Sequence, residues 1–350
     1  MAQRVRRRGE DRSGTVDDVR AMYEKFPYPS PLIGSTLIED VASSLKLLFG
    51  RDDLAGRRVL DAGCGSGQRL LGAARAFPKV EFWGVDMTSA SLDAAKRLAA
   101  KHAIKNVRFQ QSDLLHLRLE ERFDIVISTG VVVCLEDPLR GLTNLASLLT
   151  GDGMIYVWLY HSLGEHQRML DRELARTLWQ EGQANLASGV ELLEDLGLRL
   201  DARRYGSSSA AQTDENGISQ TSLDVDAYLH PIVHTYRFGD AVALLSRCGV
   251  DWVAVNGFNT EGSSRLLDIC ERARGSERIL CLQVSELFEK ERLQARYRRL
   301  SALDKLKAIE LRLKPTGFTM LAGRGSSLVR MGPRIEGNRV TPTSETSRSL

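Results

Sequence analysis

The sequence predicts a doubly wound α/β fold, and three observations carry that reading. Short apolar runs alternate with helical stretches from Arg57 onward. The first run ends in a glycine-rich turn, Ala62 to Gly67. The first three runs each end on an aspartate, at Asp61, Asp86 and Asp113. Strands alternating with helices imply βαβ units, and right-handed crossovers then place helices on both faces of a parallel sheet. The expected sheet has seven strands, mostly parallel, with a terminal antiparallel strand and helical inserts.

Taken in order, residues 1–14 form a basic tail too poor in apolar residues to join a core. Residues 15–50 read as a helical lid. Val16, Val19, Met22 and Tyr23 share one helical face, Pro27, Pro29 and Pro31 then enforce extended backbone, and Leu37, Val41, Leu45 and Leu48 resume helical spacing. Residues 51–160 hold five strand candidates, RRVLDAG, VEFWGVD, VRFQQSD, FDIVISTG and GMIYVWLY. Helices at 68–77, 88–102 and 138–149 lie between them. Residues 161–222 form a helical insert that ends in a polar loop. Residues 223–260 return to the sheet, 261–314 form a second helical insert, and 315–329 supply the last strand. The Ser-, Thr- and Arg-rich stretch 330–350 reads as a disordered tail.

The chain has 350 residues, 43% hydrophobic and 27% charged, as an ordinary globular protein does. The net charge of +3 sits on the ends. Residues 1–12 hold five Arg against Glu10 and Asp11, and residues 330–350 hold four Arg against Glu336 and Glu345. The body is therefore slightly acidic, which argues against a broad phosphate-binding face. Cys64, Cys134, Cys248, Cys270 and Cys281 lie far apart without a CxxC pair, the pattern of a reduced, cytoplasmic protein without structural zinc. No apolar run is long enough to span a membrane, and no secretory leader is expected.

Glycines after a strand permit positive φ and let backbone approach a bulky ligand. Each strand-end aspartate alone could be a helix N-cap. Three at successive strand ends, beside a glycine loop, point instead to the ligand crevice of a doubly wound sheet. The dinucleotide fingerprint GxGxxG fails, because Gln68 stands where its third glycine would fall. Asp61 would also repel a pyrophosphate while suiting an ammonium group.

Residues 57–160 resemble the class I S-adenosylmethionine-dependent methyltransferases, a Rossmann-like family. VLDAGCGSG is similar to the family's first motif, QQSDLL to its adenine-edge motif and STGVVVCLEDP to its fourth-strand segment. The resemblance implies S-adenosylmethionine as cofactor. It implies that Asp61, Gly63, Gly65 and Gly67 surround the methionine and ribose, with Asp86 on the ribose hydroxyls. It further implies that Met87, Asp113 and Leu114 meet the adenine, and Gly130 is expected among the cofactor-binding residues. The family often has His where this chain has Cys134, so no catalytic histidine can act from that position.

Methyl transfer is an in-line displacement on an activated donor, so alignment and desolvation supply much of the catalysis. A general base is needed only where the acceptor must lose a proton. Tyr28, His161, His230 and His234 are the acceptor-facing candidates, each of which could equally be structural. Pro231 spoils helical pairing of His230 with His234, so no metal is expected. A small-molecule or lipid-like acceptor is the leading expectation. RNA or protein is the alternative, with the basic stretch 285–314 as a dock, and a non-catalytic S-adenosylmethionine-binding regulator is the rival from another class.

Overall fold

The computed structural model describes residues 15–26, 37–49, 54–180, 182–201 and 220–342. One mixed sheet organises them. Its strands are β1 (Arg58–Ala62), β2 (Glu81–Asp86), β3 (Val107–Gln111), β4 (Phe123–Thr129), β5 (Leu149–Tyr160), β6 (Trp252–Thr260), β7 (Ser263–Leu266) and β8 (Gly317–Gly323). Their order is β3-β2-β1-β4-β5-β8-β6-β7. The first five positions are parallel, whereas β8 runs antiparallel to both β5 and β6. The order reverses at β1, which opens a crevice at the carboxyl ends of β1 and β4.

The sheet has eight strands rather than the expected seven. β7 forms a hairpin with β6 at the sheet edge, at the start of what the sequence reads as a purely helical insert. Its sequence, SSRL, has neither apolar alternation nor β-branched residues, so nothing local announces a strand. Helices do follow, at Gly275–Leu280, Val284–Leu287, Glu291–Arg298 and Ala302–Leu313.

The period-2 alternation of the strands builds two apolar layers. Val59, Ile125, Ile127 and Leu321 face α2 (Asp40–Phe49) and α3 (Gln68–Ala76) on one side. Leu60, Val126 and Met320 face α5 (Pro138–Ser147) and the helix Phe238–Ser246 on the other. Between α3 and α5 in the chain lies α4 (Ser89–Lys101). α1 (Val16–Lys25) starts at a capping box, Thr15 with Asp18, and does not touch these layers through Met22. Met22 is buried instead with Trp179, Leu186, Leu223 and Val225 of the first insert.

That insert holds α6 (His166–Leu178), α7 (Leu186–Asp195) and the short helix Gln220–Asp224, which runs into a π-turn at Val225–Leu229. The last carbonyls of a helix have no intrahelical partner. Here three arginines spaced by four along α6 supply them. Arg168 donates to Ala227 O, Arg172 to Tyr228 O and Arg176 to Pro231 O. This locks the π-turn against α6 and fixes the direction of its side chains.

The stretch expected to be disordered from residue 330 is folded as far as it is described. Ser327–Arg330 and Pro333–Gly337 are short helices, and Arg334, Ile335 and Asn338 are almost completely buried. Arg334 donates to Asn256 O, Leu267 O and Asn256 Oδ1, and pairs with Glu277. Asn338 donates to Val255 O and Leu267 O. Polar composition misled the sequence reading, because these side chains are buried by bonding to carbonyls. Residues 1–14, 202–219 and 343–350 lie outside the described residues, and with them the N-terminal tail, the end of the C-terminal one and nearly all of the polar loop. No described helix is long and apolar enough to cross a membrane.

Candidate functional site

The glycine loop after β1 is shaped by three left-handed residues, Gly63 at φ 89°, Gly65 at 53° and Gly67 at 76°. The first has a second reason to be glycine: a Cβ there would stand 2.3 Å from Val131 Cγ2. Gly65 N donates to Asp86 Oδ2 at 2.9 Å, and Thr88 donates to Oδ1 through both N and Oγ1. The Asp86 carboxylate is thereby held at the end of β2 with lone pairs to spare. Asp113 is held by Leu115 N and His116 Nδ1, each at 2.9 Å. Both acids thus cap local turns as well as facing the crevice.

A cavity of about 630 Å³ opens over these strand ends, within the range of small-molecule sites. Gly63, Gly65, Asp86 and Met87 line it, as do Asp113, Leu114 and Gly130. Asp61 and Gly67 do not. Gly67 starts α3, and Asp61 is buried beneath the loop. Burial pushes the Asp61 carboxyl up to about 7, against the pull of Arg69 and with the push of Asp86 and Asp40. Asp40 and Arg69, which pair at 2.8 Å, both reach the cavity wall and were not singled out by sequence.

The cavity continues along one face of the sheet beyond β4. Tyr156, Trp158 and Tyr160 alternate along β5 and all three face it, half-buried. Trp158 Nε1 donates to Asn259 Oδ1 at 2.8 Å, and the indole lies over Gly317, where a Cβ would come within 2.2 Å of it. At the far end α1 and the π-turn meet. Tyr23 Oη donates to Asp226 Oδ1 at 2.7 Å, and both residues line the cavity with Cys134.

The description "Methyltransferase domain" matches residues 53–203. The chain is 33% identical to a release factor glutamine methyltransferase of Xylella fastidiosa, over 34% of this chain and 43% of that protein. It is 34% identical to a ubiquinone biosynthesis O-methyltransferase of Haemophilus ducreyi, over 30% of this chain and 45% of that protein. Among solved structures it shares a fold with PKMT2 from Rickettsia typhi, with a TM-score of 0.55 and 18% identity, over 86% of this chain and 54% of that one. The chain is thus similar, over residues 53–203, to methyltransferase domains. It spans about half the length of the curated relatives it matches.

None of the three candidate histidines belongs to the cavity wall. His161 is fully buried, edge-on to Phe238 and Phe318. Its Nδ1 accepts from Leu163 N, so Nε2 carries the proton and donates to Glu310 Oε2 at 2.9 Å. Arg237 pairs with the same carboxylate. The trio clamps β5 to the helix Ala302–Leu313. His234 Nε2 donates to Leu135 O at 2.9 Å, which ties its segment to the loop after β4. His230 is fully buried behind Tyr23, and burial together with Arg172 lowers its imidazole to about 3. These placements correct the expectation that the histidines face an acceptor. Tyr28 lies outside the described residues. Asp226, which sequence reading missed, is the second of two acids in the otherwise apolar run LDVDAYL. Among the described residues no cluster of His, Cys, Asp or Glu is arranged to hold a metal ion.

Proposed function

We propose that the protein transfers the methyl group of S-adenosylmethionine to a small-molecule acceptor. One observation carries the reading: the strand-end pocket and the aromatic chamber on β5 are parts of a single cavity. The residues present fit the cofactor. Gly63 and Gly65 keep the loop free of side chains, and the pre-set Asp86 carboxylate can accept from two ribose hydroxyls. Met87 and Leu114 offer apolar walls, and Asp113 can accept from an exocyclic amine. The Asp40–Arg69 pair offers one charge of each sign to an amino-acid end. When bound, S-adenosylmethionine supplies a methyl group already activated on a sulfonium. The chain's own residues align the acceptor, exclude water and shelter the displacement.

Two features support a small acceptor. The chamber is walled by α1 and the first insert, and its floor is aromatic rather than basic. Calorimetry should show S-adenosylmethionine and S-adenosylhomocysteine binding at micromolar affinity or tighter, with NAD inert. Methyl-labelled cofactor and a fractionated host extract should place the label in small molecules. Label in protein or RNA, with steep salt dependence, overturns the acceptor class. Binding of NAD without response to either sulfur ligand overturns the function altogether.

A further inference from the structure

Resting on that reading, we propose that Asp226, through the Tyr23 hydroxyl it holds, takes the proton of a neutral hydroxyl acceptor bound beside Tyr160 and Trp158. The pair is a hydrogen-bonded acid and hydroxyl facing the chamber, the hydroxyl from α1 and the acid from the π-turn. π-turns are often found at functional sites, and this one aims Asp226 inward while its carbonyls are held by α6.

The groups around the pair define the acceptor. Arg168 and Arg172 of α6 act electrostatically on Asp226, and Cys134 and Tyr160 act on Tyr23. The buried imidazole of His230 stands edge-on to the Tyr23 ring and is held neutral. Burial also holds the Cys134 thiol protonated. Arg168 is paired with the buried Glu165, so Arg172 is the guanidinium left to offset the charge on Asp226 and to favour the oxygen that gains charge as a hydroxyl loses its proton. The Arg168 guanidinium lies 4.5 Å from the centre of the Tyr160 ring, and Asn259 holds Trp158 over Gly317. Trp158 and Tyr160 stand edge to face, 5.1 Å apart at 76°, and make a fixed aromatic corner against which an apolar acceptor can pack.

Burial raises the Asp226 carboxyl, which makes it a stronger base than an exposed aspartate. It also raises the Tyr23 hydroxyl, so a free tyrosinate is disfavoured and the two protons must move together. The acceptor O–H passes its proton to Tyr23 Oη as the Tyr23 proton passes to Asp226 Oδ1. The acceptor oxygen's electron pair forms the new O–CH₃ bond, and the C–S bonding pair stays on sulfur as a neutral thioether. Asp226 ends as the neutral acid and returns its proton to water after product leaves.

The test compares wild type, Tyr23→Phe and Asp226→Asn, with methyl-labelled S-adenosylmethionine and host-extract acceptors between pH 5 and 9. Each variant should lose roughly a hundredfold in kcat, in line with general-base contributions. Calorimetric affinity for S-adenosylhomocysteine should be unchanged, which also shows that the variants fold. The product should be an alkali-stable methyl ether, and the acid limb of the wild-type pH profile should vanish in Asp226→Asn. Variants that keep the rate within threefold and the same profile overturn the proposal, as does label in a methyl ester or an N-methyl group. Wild type that binds cofactor but transfers no label removes the enzymatic reading and this inference together. A variant that loses the ligand while wild type keeps it makes the pair structural and overturns the inference alone.

Discussion

Tyr23 and Asp226, 203 residues apart in sequence, meet across the mouth of the chamber at 2.7 Å. This contact ties the first described helix to the insert that walls the chamber. Burial makes it a matter of stability as well. Tyr23→Phe would leave the Asp226 oxygen without its donor, at a cost of about 1–3 kcal/mol. The nearby guanidiniums of Arg168 and Arg172 soften that loss. Urea unfolding of the free protein should place the variant near the lower end of the range.

Asp86 should behave as a residue with two duties. Asp86→Ala removes a charged acceptor worth about 1.5–3 kcal/mol to a ligand, so cofactor affinity should fall roughly ten- to a hundredfold. Because Gly65 N and Thr88 also bond to this carboxylate, the melting temperature of the free protein should fall too. Unchanged affinity with a lower melting temperature would mean that Asp86 serves the loop alone.

Asp61 predicts a pH dependence. Its carboxyl, held near 7 in the folded chain against 3.8 as an ordinary aspartate, is mostly protonated below neutrality. Asp61 lies beneath the loop and outside the cavity wall, so its ionised form would favour a ligand's ammonium group through charge alone. Cofactor affinity should therefore weaken as pH falls from 8 to 6, and Asp61→Asn should flatten that dependence. The same shift sets the sign for folding. The folded state holds a proton that the unfolded chain releases between about 4 and 7, so this group's contribution to stability falls as pH rises through that window. Calorimetry across pH, with and without cofactor, reads both effects.

Arg334 should prove to be a fixed part of the core. Arg334→Ala would strip donors from Asn256 O and Leu267 O and leave Glu277 without its partner. Asn256 O keeps Leu267 N and Leu267 O keeps Asn338 Nδ2, so the cost falls on the lost charged hydrogen bonds, about 1.5–3 kcal/mol each, and a loss of about 3 kcal/mol is expected in urea unfolding. Deletion from residue 331 should be worse, since Ile335 and Val340 are buried as well.

The residues that were legible in the sequence are those whose placement follows from periodicity. Val59 with Leu60, and Ile125 with Val126, alternate between two layers, so β1 and β4 announce themselves. Gly63 and Asp86 were legible because backbone conformation and strand-end position constrain residue type. The misses share another cause. β7 is polar because it is an edge, and Arg334 and Asn338 are buried through bonds to distant carbonyls that no local pattern encodes. Asp226 was hidden for the same reason: only the folded chain brings it to Tyr23.

The position of β8 has a consequence for how the molecule is made. It lies between β5 and β6 in the sheet yet follows both in the chain, with the whole second insert intervening. On the ribosome, β5 and β6 must emerge with the backbone groups destined for β8 still open, because Gly317–Gly323 has not been translated. Unpaired strand edges of that kind invite intermolecular pairing, and non-local pairing is slow to form. A nascent chain stalled before residue 317 is thus the species that most needs a chaperone, and the sheet can close only after nearly every residue described here has been synthesised.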